Sequence, residues 1–140
     1  MRTSNIKDVD LTRINYSLDS NIAIIGIGYV GLPLAIEFAK REKCNITGLT
    51  NKRNVVGFDI NKSRINQLKQ GIDITEEVTT DDLNNLTKLT FSFDENSLIS
   101  SDIFIVTVPT PIDNSNKPNL SALESASLLV GKTIKLKKSK

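Results

Sequence analysis

Histidine and tryptophan are absent from this sequence of 140 residues, and cysteine occurs once. Without histidine there is no imidazole general base, no serine–histidine or cysteine–histidine pair, and no histidine-ligated metal site. The single Cys44 cannot form a disulfide within the chain and belongs to no C-x-x-C motif. We therefore expect no metal site and none of the common nucleophile arrangements, and this cysteine usage suits a reducing cytoplasm.

Long apolar runs and a strong charge of one sign are also missing. No apolar run approaches the length that spans a bilayer, and the polar start of the chain, residues 1–20, is unlike a signal peptide. The net charge is only +2. The lysines crowded near the end of the chain can bind nucleic acid or anionic lipid, or can be a solvated helix end. The second interpretation is favoured, so the sequence predicts neither a nucleic-acid nor a membrane partner.

Three glycines stand where an apolar run meets a helix-like segment. Gly26, Gly28 and Gly31 directly follow the apolar residues 22–25 and precede the helical pattern of residues 32–41. The spacing G-x-G-x-x-G between a buried strand and a helix is the dinucleotide-binding fingerprint. The glycines allow a tight turn, close approach of a pyrophosphate, and close helix–strand packing. A purely structural strand-to-helix turn is the alternative, and the setting favours dinucleotide binding.

Strand-like and helix-like segments alternate along the chain. This order predicts an α/β fold, a Rossmann-type parallel sheet with helices on both faces. Residues 1–20 are predicted to form an N-terminal arm, with a short helix around residues 9–14, and residues 21–140 a single dinucleotide-binding domain. Loops are predicted at 43–54, a polar insertion, and at 109–118. Strands are predicted at 21–25, 55–60, 89–93 and 101–108, and helices at 32–41, 61–70, 80–86 and 121–136.

Asp59 closes the second predicted strand and is the candidate for the cofactor ribose. The usual fingerprint places an acidic residue about 20 positions after the glycines, and the polar insertion accounts for the longer spacing here. Capping of the next helix is the alternative role, and one residue can do both. A carboxylate repels a 2′-phosphate and so favours NAD over NADP. Lys62 and Arg64 weaken that preference, since nearby cations can accept a 2′-phosphate.

Val108, Pro109 and Thr110 lie at the carboxyl end of the fourth predicted strand. Ligands of open α/β sheets bind beyond the carboxyl ends of the strands, where the strand order reverses. We therefore expect Thr110 to face the cofactor across the crevice from Gly28, although an ordinary strand-ending loop is an equal alternative. Tyr29 is expected to pack on the cofactor or on the protein itself.

Two other groups of reactive side chains are weaker candidates. Glu76 and Glu77 are adjacent and cannot share one face of a helix or strand, so a solvated loop is expected rather than an acid pair. Cys44 lies in the polar insertion, where only a few surface cations offer any activating setting. It is expected to be a surface thiol.

Five runs of the sequence together resemble the N-terminal, NAD-binding domain of the UDP-glucose/GDP-mannose dehydrogenase family. Within it the likeness is to UDP-N-acetylglucosamine/N-acetylgalactosamine 6-dehydrogenases. GYVGLP together with VPTP is more specific than the glycines alone. The five runs are IAIIGIGYVGLP at 22–33, VGFDINK at 56–62, GIDITEEV at 71–78, IVTVPTPID at 105–113 and KPNLS at 117–121.

The resemblance implies an activity and a set of binding residues. Family enzymes oxidise the C6 alcohol of a nucleotide sugar to a carboxylate and reduce two NAD, here with a UDP-N-acetylhexosamine substrate for surface polysaccharide synthesis. Residues 76–80 match a loop near the sugar nucleotide. The implied NAD contacts are Gly26, Gly28, Tyr29, Val30 and Gly31 at the pyrophosphate, Asp59 with Lys62 and Arg64 at the ribose, and Val108, Pro109 and Thr110 at the nicotinamide, with Thr110 an accessory to catalysis.

The chain also departs from the family pattern. Family enzymes use a cysteine, with a lysine and an asparagine nearby, on a later part of the chain, and Cys44 is outside every matching motif. The sequence stops where the family continues into a fifth strand, so we expect an inactive cofactor half of an enzyme that is a homo-oligomer at full length. A non-catalytic nucleotide-binding module or remnant, or another NAD-dependent Rossmann dehydrogenase, is the alternative.

Overall fold

The computed structural model describes residues 19–139. Most of the predicted N-terminal arm, including its short helix at 9–14, lies outside the described residues. The elements follow the predicted alternation, with strands of four residues each. They are β1 (Ile22–Ile25), α1 (Gly31–Lys40), β2 (Val55–Phe58), α2 (Lys62–Lys69), α3 (Thr80–Asn84), β3 (Leu89–Ser92), a 3₁₀ helix (Glu95–Leu98), β4 (Ile103–Val106) and α4 (Ser121–Lys138).

The four strands form one parallel sheet in the order β3-β2-β1-β4. In β1, Ile22 pairs with Val55 on one side and with Ile103 on the other. The central strand β1 is buried along its whole length, as expected of a parallel sheet covered on both faces. The order reverses beside β1, because the chain crosses from β3 over β2 and β1 to β4. The predicted Rossmann-type fold is therefore confirmed.

Alternate side chains of β1 enter two separate cores. Ile22 and Ile24 pack in a cluster with residues of α1, α2 and α3, whereas Ala23 and Ile25 pack in a second cluster with Leu98 of the 3₁₀ helix and Ala126 of α4. This division follows from the two-residue period of a strand. Helices therefore cover both faces of the sheet, and the carboxyl ends of the strands are left between them.

All four strands are shorter than predicted, and two of them end two residues early, which places their following residues in loops. β2 ends at Phe58 rather than at residue 60, because Asp59 turns its carboxylate to main-chain N–H groups of Ile27 and Asn61. β4 covers Ile103–Val106 rather than 101–108. Both differences extend the open edge at the carboxyl ends of the strands.

The helix bounds differ by a few residues from the prediction for reasons visible at their ends. Asn61 is the N-cap of α2 and accepts from the main-chain N–H of Arg64. Gly71, at φ 75°, follows the end of α2, as predicted for a glycine in the left-handed region. α3 is held at its start by a capping box between Thr79 and Asp82. The 3₁₀ helix was not predicted; Asp94 caps it by accepting from the N–H of Asn96.

The predicted insertion at 43–54 is a loop. An isolated antiparallel bridge joins Lys43 to Thr50, and the N–H of Cys44 donates to the carbonyl of Leu49. Buried Asn51 ties the loop to the end of α1 through a hydrogen bond from Nδ2 to the carbonyl of Arg41. Within residues 19–139 no helix combines the length and the apolar character needed to cross a bilayer.

Candidate functional site

A cleft of about 1060 Å³ opens at the carboxyl ends of β1, β2 and β4. This is the point where the strand order reverses, the usual ligand position in open α/β sheets. The cleft brings together most of the residues that the sequence analysis singled out. Those that line it are Gly26, Gly28, Tyr29, Val30, Asp59, Arg64, Val108, Pro109 and Thr110. Gly31 and Lys62 do not line it.

The three glycines of the motif occupy different environments. Gly26 has φ 96°, and a Cβ there would lie 3.0 Å from the main chain of Thr107. A Cβ at Gly31 would lie 1.9 Å from the carbonyl oxygen of Gly26, so only glycine lets α1 start this close to the end of β1. Around Gly28, no atom beyond its two chain neighbours lies within 4 Å of the Cβ position. Gly28 therefore faces open space in the cleft.

The main-chain N–H groups of residues 28–31 belong to the glycine loop and the start of α1, and residues 28–30 line the cleft. None of these four N–H groups has a hydrogen-bond partner among residues 19–139. Val30, the N-cap of α1, provides no side-chain cap. Unpaired N–H groups and the positive end of the helix dipole together make a site for an anion such as a pyrophosphate.

Asp59 also lines the cleft and is held in place by the main chain. Its Oδ2 accepts from the N–H of Ile27 at 2.8 Å, and its Oδ1 accepts from the N–H of Asn61 at 2.9 Å. A carboxylate has about four acceptor positions, so capacity remains for the two hydroxyls of a ribose. Asp59 thus orders the start of the glycine loop and of α2, and its carboxylate remains available to a ligand.

The two cations near Asp59 are both engaged elsewhere. The Lys62 ammonium lies 5.3 Å from the centroid of the Phe93 ring, on the surface next to the cleft. Arg64 is buried, and its Nε donates to the carbonyl of Ile27 at 3.1 Å. Its Nη2 donates to Thr75 Oγ1 at 3.2 Å, and its Nη1 lies 2.7 Å from Asp73. The arginine therefore joins the glycine loop to the segment that follows α2.

Asp73 organises that segment, residues 73–78, from within. Its buried carboxylate accepts from the hydroxyl and N–H of Thr75, and from the N–H groups of Glu77 and Val78. Burial opposes ionisation of this carboxyl, but the bonds from Thr75 and the Arg64 guanidinium outweigh it and lower the pKa to about 2. Asp73 therefore carries a negative charge at any ordinary pH.

This ion pair makes the stability of the chain depend on pH. The pKa of Asp73 is about 2 in the folded chain and about 3.9 when unfolded. Ionised Asp73 should therefore add about 2 kcal/mol to the free energy of unfolding above about pH 5, lost as the pH falls toward 2. Urea unfolding of the wild type and of Asp73→Asn across this range measures the difference. An equal dependence on pH in both proteins would contradict this contribution.

Thr107 is a site residue that the sequence analysis did not single out. Its hydroxyl lies 2.7 Å from the carbonyl oxygen of Gly26 and 3.2 Å from that of Ile25, and it donates toward both. The β1–β4 pairing places it directly opposite the glycine turn. A threonine just before the Val-Pro-Thr-Pro run was the available signal, but its partners become visible only once the strand order is known.

The remaining walls of the cleft come from α4 and from the loop after β4. Val108, Pro109 and Thr110 line one side, where the sequence predicted them, and Tyr29 is 69% exposed at the mouth. The first turns of α4 supply small side chains that were not predicted as site residues: Ser121, Ala122, Ser125 and Ala126. Small residues there leave the width that a flat ligand needs.

Cys44 and the acidic pair lie away from the cleft lining. Residues 76–80 are not among the lining residues, and Glu76 adopts φ 55°, whereas Ile74 does line the cleft.

The expectation that only surface cations act on Cys44 is wrong. The Thr47 hydroxyl, followed by the N–H groups of Thr47 and Ile46, lowers the pKa of the thiol, and Arg53 adds a smaller effect. Within residues 19–139 no cluster of His, Cys, Asp or Glu could hold a metal ion.

Comparison with known proteins matches almost the whole described chain. Residues 20–139 match the model of the UDP-glucose/GDP-mannose dehydrogenase family, NAD binding domain. A UDP-N-acetyl-D-glucosamine 6-dehydrogenase of Pseudomonas aeruginosa is 48% identical over 84% of this chain and 25% of its own length. A UDP-N-acetyl-D-mannosamine dehydrogenase of Campylobacter jejuni is 36% identical over 83% of this chain and 26% of its own length.

Solved structures show the same likeness. A UDP-glucose dehydrogenase from Pyrobaculum islandicum superposes with a TM-score of 0.70 at 27% identity, over 84% of this chain and 26% of that one. The chain thus spans about a quarter of the length of the relatives that it matches.

Proposed function

Because the chain belongs to the UDP-glucose/GDP-mannose dehydrogenase family as its NAD-binding domain, we propose that it serves a nucleotide-sugar 6-dehydrogenase. The substrate of the proposed enzyme is a UDP-N-acetylhexosamine, whose C6 alcohol is oxidised to a uronate for surface polysaccharide synthesis. The enzyme acts in the cytoplasm as a homo-oligomer, where its nucleotide-sugar substrate and NAD are both available.

One observation carries the cofactor part of this proposal. Residues 28–30, whose main-chain N–H groups are unpaired among the described residues, line the same cleft as Asp59. The N–H groups suit a pyrophosphate and the Asp59 carboxylate suits the hydroxyls of a ribose. Val108, Pro109 and Thr110 line the cleft as well. We place the nicotinamide against them, with Thr110 as an accessory to catalysis.

The choice of sugar rests on the relatives and on sequence motifs. The relative named for UDP-N-acetyl-D-glucosamine shares more of its residues with this chain than the one named for UDP-N-acetyl-D-mannosamine. Residues 105–113 and 117–121 carry the runs that resemble the N-acetylhexosamine branch. We therefore propose UDP-N-acetylglucosamine or its C4 epimer, UDP-N-acetylgalactosamine, as the substrate.

The 140-residue chain should bind NAD without oxidising a sugar nucleotide. Capture of an aldehyde by a thiolate needs a cysteine beside the cofactor, and Cys44 is not among the residues that line the cleft. We expect no increase in NADH absorbance when the chain is incubated with NAD and UDP-N-acetylglucosamine. Steady NADH production that Cys44→Ser abolishes would contradict the assignment of Cys44 as a surface thiol.

The cleft should prefer NAD to NADP. A 2′-phosphate would lie against the carboxylate of Asp59, and Arg64, the cation that also lines the cleft, is already committed to Asp73 and the carbonyl of Ile27. We expect NADP to bind at least about tenfold more weakly than NAD, which corresponds to the cost of one uncompensated charge contact. Calorimetric titration of both cofactors in one buffer measures the ratio. Asp59→Asn is the control, and it should bring the dissociation constants of NADP and NAD closer together. Tighter binding of NADP than of NAD by the wild type would overturn the preference.

A further inference from the structure

Ile27, inside the glycine loop, is held by its main chain from two sides. Its N–H donates to Asp59 Oδ2 at 2.8 Å, and its carbonyl accepts from Arg64 Nε at 3.1 Å. The Ile27 side chain is fully buried, so the residue cannot rotate without disturbing the core. The peptide that joins Ile27 to Gly28 is therefore fixed in orientation.

That orientation decides where the N–H of Gly28 points. In a trans peptide the carbonyl and the following N–H point in opposite directions, and no described peptide is cis. Because Arg64 holds the carbonyl of Ile27, the N–H of Gly28 is directed away from the guanidinium. This N–H has no partner among the described residues, and Gly28 lines the cleft.

Arg64 is itself held by residues that do not line the cleft. Asp73 and Thr75 contact its two terminal nitrogens, and neither residue is part of the cleft lining. The Asp73 contact is an ion pair at 2.7 Å without a well-aligned hydrogen bond at Nη1. Removing it would leave the planar guanidinium tethered only by Thr75 and Ile27.

We propose that Arg64, anchored by Asp73, is a positioning residue that directs the N–H of Gly28 at the cofactor pyrophosphate. The segment 73–78 thereby controls cofactor affinity without contacting the pyrophosphate. The inference rests on the proposed NAD binding and adds to it a determinant outside the cleft. Ile74, which lies between Asp73 and Thr75, lines the cleft, so a ligand that moves this segment also moves the anchor of Arg64.

The test compares NAD with adenosine, which lacks the pyrophosphate. In Asp73→Asn the amide NH₂ replaces one carboxylate oxygen. This NH₂ group must face either the N–H groups of Glu77 and Val78 or the Arg64 guanidinium, all of which are donors, so the contact that anchors Arg64 is weakened. We expect NAD to bind at least about tenfold more weakly, which corresponds to the loss of one hydrogen bond to a charged group. The affinity for adenosine should stay within about twofold, because its contacts are unchanged.

Asp102→Asn is the matched control. Asp102 is also an aspartate with an ion pair, to Lys137, and a main-chain partner, the N–H of Asn21. It lies just before the first residue of β4, whereas the cleft lies at the carboxyl end of that strand. This variant should bind NAD as the wild type does. Thr75→Val, which removes a smaller part of the anchor, should weaken NAD binding in the same direction.

The outcomes separate this inference from the proposed function. Absence of NAD binding by the wild type would overturn the proposed function, and the inference with it. Wild-type NAD affinity in both Asp73→Asn and Thr75→Val would overturn the inference alone. Equal weakening of NAD and adenosine would also overturn it, because that result reports a general loss of structure. Thr75→Val decides the question if Asp73→Asn does not fold.

Discussion

Replacing Gly28 with valine should abolish measurable NAD binding, with a rise in Kd of at least about a hundredfold, while the fold is kept. A hundredfold is about 2.7 kcal/mol, the loss of one or two hydrogen bonds to a charged group. The valine side chain would occupy the space that the pyrophosphate needs. Apart from its two chain neighbours, no described residue has an atom within 4 Å of the Cβ position, so we expect the free chain to accept the substitution. Calorimetric titration measures the affinity, and urea unfolding measures the stability.

Gly131→Val is the matched control for this experiment. Gly131 lies in α4, away from the cleft lining, and its Cβ position is equally open. The same substitution there should leave NAD affinity unchanged and cost no helix stability, since valine is the better helix former. If Gly28→Val bound NAD as tightly as the wild type, the glycine loop would not be part of the NAD site.

Replacing Gly31 with alanine should destabilise the whole domain by about 3 kcal/mol or more, the upper range for overpacking. The added methyl would lie 1.9 Å from the carbonyl oxygen of Gly26 and 2.6 Å from Thr107 Oγ1. Neither can retreat easily, because the Thr107 hydroxyl itself donates to the carbonyl of Gly26. The midpoint of urea unfolding should fall with little change in its slope.

Gly28→Ala adds the same methyl three residues earlier and serves as the control. It should change the free energy of unfolding by less than about 1 kcal/mol, since the methyl meets open space. If both alanine variants were equally stable, the close packing of α1 on the end of β1 would not be the reason for glycine at position 31.

Much of this fold could be predicted because it depends on patterns of residues that are close together in the sequence. The apolar runs of β1 and β4 and the glycine turn are short-range signals, and strand–helix alternation restricts the sheet to parallel order. Asp59 and the loop after β4 were predicted at the cleft because those same patterns locate the strands, although β2 and β4 end two residues earlier than predicted. The motif resemblance added NAD, and the family match confirmed it.

The contacts that hold the site depend on residues far apart in sequence. Arg64 was predicted to neighbour Asp59 at the ribose, and the structure shows that Asp73 and the carbonyl of Ile27 engage it. Lys62 was predicted there too, and its ammonium lies over the ring of Phe93, which is not part of the cleft lining. Charge type alone does not tell whether a cation faces a ligand or an internal partner. That distinction needs the packing of α2 against the glycine loop.

The central claim is that the cleft between the glycine loop, Asp59 and the loop after β4 binds NAD. Titration of the ¹⁵N-labelled chain with NAD, followed by amide chemical shifts in NMR spectra, tests it most directly. The claim predicts saturable shifts concentrated at Gly28, Tyr29, Val30, Gly31 and Asp59, with Val108 responding across the cleft. Shifts centred instead on the surface around Lys62 and Phe93, or no saturable shifts at all, would contradict it.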